Sequence, residues 1–228
     1  MPILDPLGPI PQQETLQDYI TDCQRLTHDS TFRFWTQQEL TDYANKARKF
    51  VAMMTSCTRQ VISFDVIAAS SLAEASYNLD SNLVTVPILR RVTDILDVIL
   101  NYSANTVYQL KYLPFSTMIR TGLWQTQYAG TPSYYTLNNR ILILLQWPAI
   151  AYPNSSIDCA IEPLDLVDLA DVDADIAFPY TECVGYYMAY LCKLKNQQRD
   201  EADAFMGDFR RQIIMTSGFG FTRKLVGR

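Results

Sequence analysis

The hydrophobic pattern of the chain changes period twice along its 228 residues. Near the start, Leu16, Tyr19, Ile20, Cys23 and Leu26 recur at helical spacing, which places them on one stripe of a helix over about 13–29. In the middle, Ile62, Phe64 and Val66 alternate with Val61, Ser63 and Asp65, the period of a strand with one buried face. At the end, the helical period returns in Cys183, Tyr187, Tyr190, Leu191 and Leu194, and again in Ala202, Phe205, Met206, Phe209 and Ile213. Helices at both ends with strands between them predict an α+β fold: a helical bundle assembled from distant parts of the chain, carrying a β-rich insertion. The boundaries expected are an extended N-terminal arm over 1–12, a helical part over 13–59, an insertion over 60–165, C-terminal helices over 166–215 and an extended tail over 216–228.

The second helix carries the clearest start signal. Thr36 is followed three residues later by Glu39, the spacing of a capping box, and Trp35 before the cap can pack on Leu40 as a hydrophobic staple. Leu40, Tyr43, Ala44, Ala47, Val51 and Met54 form its apolar face, with Lys46, Arg48 and Lys49 directed elsewhere. In the insertion, 83–89 reads as an edge strand because Pro87 cannot donate to a ladder. The stretch 92–102 fits a helix or one arm of a hairpin with 107–112, and the nearby turn residues favour the hairpin. A short helix is expected after Pro114. Tyr134 to Leu137, a turn at Asn138-Asn139 and Arg140 to Trp147 form a second hairpin, and 157–161 is one more short strand. Pro179 is expected in the first turn of a helix. The last helix carries Asp200, Glu201 and Asp203 early and Arg210 and Arg211 late, the polarity its dipole favours.

Composition excludes several function classes. The net charge of −5 weighs against gripping a nucleic-acid backbone. No apolar run approaches the length of a membrane span, and the proline-rich start lacks the basic region of a signal peptide. His28 is the single histidine, which removes histidine clusters and any triad needing another imidazole; it reads as a helix-terminal residue rather than half of a Cys-His pair. The five cysteines include no CxxC pair and read as small buried thiols of a protein made in a reducing cytoplasm. No phosphate-binding glycine motif is present, and no cofactor is implied. The 14 tyrosines suit a protein that uses much of its surface on partners.

One acidic stretch invites a metal reading. Asp171, Asp173, Asp175 and Glu182 occupy positions 1, 3, 5 and 12 of a calcium loop, but Ile176 stands where the turn needs glycine and Pro179 interrupts the loop. A solvated acidic loop before a helix is the preferred reading, with a small calcium-dependent enzyme or binding module as the alternative. The segment from Lys193 onward holds eight basic and four acidic residues. Asp171 and Asp173 against Arg210 and Arg211 are therefore candidate contacts between copies of the chain.

The order of these features resembles the head-to-tail adaptor proteins of tailed bacteriophages, podovirus-like in particular. The likeness is carried by Phe34-Trp35-Thr36 with Glu39-Leu40, Tyr43, Asn45 and Ala47. It continues through Gly130-Thr131-Pro132 with Tyr134-Tyr135, Ile141, Ile143 and Trp147-Pro148. It closes on Pro163-Leu164, Pro179, Tyr186, Tyr190, Asn196 and Ala202. It spans roughly residues 13–215, with 60–125 matching least. The resemblance implies a non-enzymatic virion protein, assembled in the host cytoplasm, that forms a ring, commonly of twelve copies, beneath the portal protein. Such a ring extends the DNA channel and offers a platform to tail or nozzle proteins; genomic DNA passes without specific binding. It also assigns portal docking to the C-terminal segment, here Phe219, Phe221, Arg223 and Lys224.

Overall fold

A computed structural model describes residues 13–29, 33–69, 71, 74–79, 90–103, 106–121 and 129–217. In chain order its elements are α1 (Leu16–Thr27), α2 (Gln37–Thr55), β1 (Arg59–Val66), β2 (Ser76–Asn78), β3 (Val92–Ser103), β4 (Thr106–Gln109), β5 (Lys111–Tyr112), α3 (Phe115–Thr121), β6 (Ala129–Gly130), β7 (Tyr134–Asn138), β8 (Ile141–Leu145), β9 (Trp147–Pro148), β10 (Tyr152–Ile161), α4 (Thr181–Lys195) and α5 (Arg199–Ser217). The fold is α+β. The chain divides into two compact units: one joins the residues up to Thr58 with those from Pro163 onward, and the other is Arg59–Glu162. The expected N-terminal arm, the strand at 83–89 and the docking residues Phe219, Phe221, Arg223 and Lys224 lie outside the described residues.

The helical unit begins with two capping boxes. Thr15 accepts from the Asp18 amide at the start of α1, and Thr36 accepts from the Glu39 amide at the start of α2, with both acidic side chains returning to the cap amides. Only the box at α2 was read from the sequence. His28 closes α1 in the left-handed conformation, its amide bonded to the Gln24 carbonyl, and Ser56 closes α2 in the same way on Ala52. Trp35 and Leu40 are buried in one cluster with the inner faces of α1, α2, α4 and α5. Within it Phe50 stacks on Tyr187 at 4.4 Å, and Phe209 closes on both at 5.6 and 5.2 Å. This aromatic triad ties α2, α4 and α5 together.

Three details of the helices differ from expectation. The buried face of α4 is Val184, Gly185, Met188, Ala189 and Cys192 together with Cys183, so Tyr187 and Tyr190 lie at its margin and Leu194 is exposed. The sequence stripe was drawn through the larger residues, whereas the small ones face α1: a Cβ on Gly185 would stand 3.6 Å from Asp22. Pro179 precedes the helix in a turn, and the helix starts at Thr181. Finally, α5 runs on to Ser217 with no basic residue in its last turn. Arg210 and Arg211 therefore sit mid-helix, where the dipole gives them little, and the helix takes in Thr216 and Ser217, which were expected in the tail.

In the β unit two four-stranded sheets, ordered β1-β10-β3-β4 and β2-β8-β7-β5, send side chains into a shared cluster around Val98, Leu100, Leu142, Leu144 and Ile157. The hairpin reading of 92–112 holds for β3 and β4, which pair antiparallel. Beyond Gln109 the chain changes sheets: buried Leu110 still donates to the Val98 carbonyl, but Lys111 and Tyr112 pair with β7. Hairpin β7–β8 turns on Asn139 and Arg140, both at positive φ, a turn one residue later than Asn138-Asn139. Both central residues of this mirror-image turn need positive φ, and the arginine supplies its compensation by donating to the Val92 carbonyl at 2.8 Å. The strand expected at 157–161 is the ten-residue β10, paired on both sides in the middle of its sheet. Its polar start, Pro153-Asn154-Ser155, disguised it.

Removing either support of the helical unit has a calculable effect. Phe209→Ala is expected to lower stability by about 3–5 kcal/mol through the cavity it leaves, and Thr36→Ala by about 1 kcal/mol through loss of the cap. Both are read as shifts of the chemical denaturation midpoint of the far-ultraviolet dichroism signal.

Candidate functional site, a buried arginine–aspartate clasp

The densest set of ionisable and polar side chains among the described residues lies inside the helical unit. Arg48 reaches it from the middle of α2, and its neighbours Ala44, Ala47 and Val51 are all buried. Four-residue spacing from Leu40 and Ala44 carries directly to position 48, so the guanidinium is delivered to the inner face. Asp173 comes from the segment between Pro163 and α4. Both side chains are about 1% exposed.

The pair is bidentate: Arg48 Nε donates to Asp173 Oδ2 and Nη2 donates to Oδ1, each at 2.7 Å. The Tyr19 hydroxyl of α1 donates to Oδ2 at 2.9 Å, and the amides of Asp175 and Ile176 donate to Oδ1 at 3.0 Å. The remaining arginine nitrogen, Nη1, donates to the Leu164 carbonyl at 2.6 Å and to Asn45 Oδ1 at 3.2 Å. Asn45 in turn binds both backbone groups of Leu166 at 2.9 Å. Around this centre the returning chain is stitched to α1: Leu16 donates to the Asp171 carbonyl, Gln17 to that of Leu169, and Asp173 to that of Glu14.

Burial alone would raise the Asp173 carboxyl, but the hydrogen bonds and charge of Arg48, with the Ile176 amide and Tyr19, outweigh it and hold its pKa below the ordinary value of 3.8. Tyr19 is pushed well above the usual phenol range by burial and by the adjacent Asp173 charge, so it remains a donor. Every strong donor and acceptor here is engaged within the protein, and the fork is closed from solvent. Chemically the arrangement can hold three chain segments in register; it presents no charge to an outside molecule.

Sequence reasoning had directed Arg48 away from the core and missed it as the centre of the site. The signal available was its place in the 40–44–48 series. Asp173, expected in a solvated loop and as a contact between copies, is instead buried, because its bidentate partner neutralises it internally. Asp171 is half-buried and turned to its own loop, with Oδ2 accepting from Val167 and Asp168 at 2.7 and 2.8 Å; those amides lower its pKa. Arg210 is exposed, and Arg211 is exposed with an ion pair to Asp208 at 3.2 Å. The clasp does not include these two arginines.

The calcium arrangement is not formed. Asp173 faces a guanidinium, Asp175 accepts from the Leu164 amide, and Glu182 accepts from Gln212 on α5. Among the described residues no group of histidine, cysteine or acidic side chains has the arrangement to hold a metal ion. His28 is exposed and serves α1 through its backbone. No helix among the described residues is long and apolar enough to cross a membrane.

Breaking the pair on one side leaves a buried charge. Arg48→Met is expected to destabilise the protein by about 3–5 kcal/mol, while the double variant Arg48→Met/Asp173→Leu recovers most of that loss; chemical denaturation of the three proteins measures it. Because the folded pKa of Asp173 is depressed, its contribution is complete above pH 3.8 and is lost as pH falls through the lower folded value. The Asp173→Asn variant should show a flatter acid limb of stability against pH below about 4 than the parent protein. Calcium is expected to leave the melting temperature unchanged, with or without chelator.

The sequence matches no protein-family model and no curated protein.

Proposed function

We propose that the chain is a head-to-tail adaptor of a tailed bacteriophage: a structural virion protein that assembles as a ring on the portal, extends the DNA channel and carries tail or nozzle proteins. The observation that carries this reading is the order of its landmarks. An early helix opens on Trp35, Thr36 and Glu39. A β unit follows that includes the hairpin of Tyr134 to Leu145. The chain then returns through Pro163 to two adjacent C-terminal helices. That is the order the adaptor resemblance predicts.

Charge supports the same reading. The strongest charge pair is turned inward and clamps the scaffold, which suits a part that must keep its shape under load. The net charge of −5 suits a channel lining that repels phosphate, so that the genome can pass without sticking. A heterologous ring uses two different faces of one chain. Arg210 and Arg211 on α5 are the exposed charges offered for such a contact, while Asp173 is withdrawn from it. The C-terminal residues Phe219, Phe221, Arg223 and Lys224 are assigned to the portal, where aromatic and basic side chains make effective anchors. The site of action is the neck of the virion after assembly in the host cytoplasm.

The test is to mix the purified chain with the portal ring of the same particle and weigh the product by mass photometry. A complex heavier than the portal by about twelve chains of 26.1 kDa is expected, and it should be lost when the chain is truncated before Phe219. A chain that stays monomeric beside the portal at micromolar concentration overturns the reading.

A further inference from the structure

The clasp and the proposed ring contacts leave the five cysteines unused, and two of these meet. Cys23 on α1 and Cys192 on α4 stand with their sulfurs 3.8 Å apart. Both are fully buried in the core of the helical unit. At that distance the sulfurs are in van der Waals contact, with one thiol directed at the other. A disulfide needs about 2.05 Å, so each sulfur has to travel roughly 1 Å, which a modest side-chain rotation provides.

We infer that Cys23 and Cys192 form a latent cross-link site, which a disulfide oxidant such as oxidised glutathione converts into a covalent bond between α1 and α4. The chemistry balances without a further reagent. One cysteine, as thiolate, attacks the oxidant's disulfide, giving a mixed disulfide and releasing one glutathione thiolate. The second cysteine, as thiolate, attacks the protein sulfur of that mixed disulfide and releases the other. The protein loses two protons and two electrons, and one oxidised glutathione becomes two reduced glutathiones.

The surroundings set the rate. The hydrogen bond with Cys192 and burial hold the Cys23 thiol above its ordinary pKa, and the thiolate is the attacking species. Reaction therefore waits for a local opening of α1 from α4, and the closed product is then shielded from reductants. The position of the bond gives it consequence. It joins residues 169 apart, and the loop it closes contains the whole β unit, Arg59–Glu162. A helical unit made of two distant chain segments becomes one that cannot be drawn apart. A protein assembled in a reducing cytoplasm and then carried outside the cell has a use for that lock. This purpose rests on the adaptor reading; the chemistry does not.

Cys57, half-buried, is the competing thiol of the helical unit, close enough for its charge to reach Cys183. The full chain and its Cys57→Ala variant are equilibrated with oxidised glutathione, blocked with alkylating reagent in denaturant, and digested without reduction for mass spectrometry. A Cys23–Cys192 linked peptide is expected in both proteins, two hydrogens lighter than the sum of its parts. The melting temperature of the oxidised protein should rise by about 5 °C or more, and Cys192→Ala should abolish that rise. Free or glutathione-capped Cys23 and Cys192, or bonds to other cysteines instead, overturn the inference, and the peptide map decides even if Cys192→Ala folds poorly. Weighing the reduced chain on the portal separates the two ideas: a ring from the reduced chain, together with no linked peptide in the oxidised sample, sinks the cross-link alone.

Discussion

The bidentate contact between Arg48 and Asp173 is the constraint on which the helical unit depends. That unit is made of two chain segments separated by a complete β unit, so nothing covalent and local holds them together. Apolar burial supplies attraction between α1, α2, α4 and α5, but attraction of that kind tolerates sliding. The clasp does not. It fixes α2 through Arg48 and Asn45, α1 through Tyr19, and the returning segment through Leu164, Leu166 and Asp173, each by bonds with defined directions. A buried ion pair is weak evidence for added stability, since its desolvation cancels much of its attraction. Its contribution here is register: only one placement of the returning chain satisfies the guanidinium fork, the carboxylate and the two loop amides together.

The β unit is ordered by different means. Eight of its strands belong to two four-stranded sheets, with β6 and β9 paired as a separate two-stranded sheet, and the chain between Thr106 and Tyr112 serves both larger sheets, crossing at Leu110. Side chains of the two sheets share one apolar cluster, so the crossing costs no burial. The tight turn at Asn139-Arg140 sets the register of β7 on β8. The guanidinium of Arg140 then reaches the start of β3, linking the second sheet to the first through a single side chain. In both units an arginine ties distant segments together, at an interior position in one and at a turn in the other.

Burial divides the charged and the apolar side chains unevenly between interior and surface. Among the described residues the densest constellation of ionisable groups is turned upon itself, with Arg48 and Asp173 each about 1% exposed. The surface is instead rich in tyrosine and in single exposed apolar residues such as Phe34, Val107 and Phe178.

Many local interactions, though not the Thr15–Asp18 cap, were legible in the sequence. The period of Leu16, Tyr19 and Cys23, the Thr36–Glu39 cap, the alternation of Ile62 to Val66 and the turn before Ile141 each encode an element through contacts along the chain, and these suffice for the fold class. What lay beyond reach was decided between distant residues. Arg48 looked like a surface charge because its partner is 125 positions away, and Asp173 looked solvated because its neighbours in sequence are acidic. Which face of α4 is buried depended on how closely α1 approaches Gly185. A charge is buried or exposed according to the partner it finds in space, and that partner is chosen by the packing of the whole unit. For this reason the sequence alone determined the fold class, the helices and the main hairpins, while only the tertiary structure decided which charges form the centre that holds the helical unit.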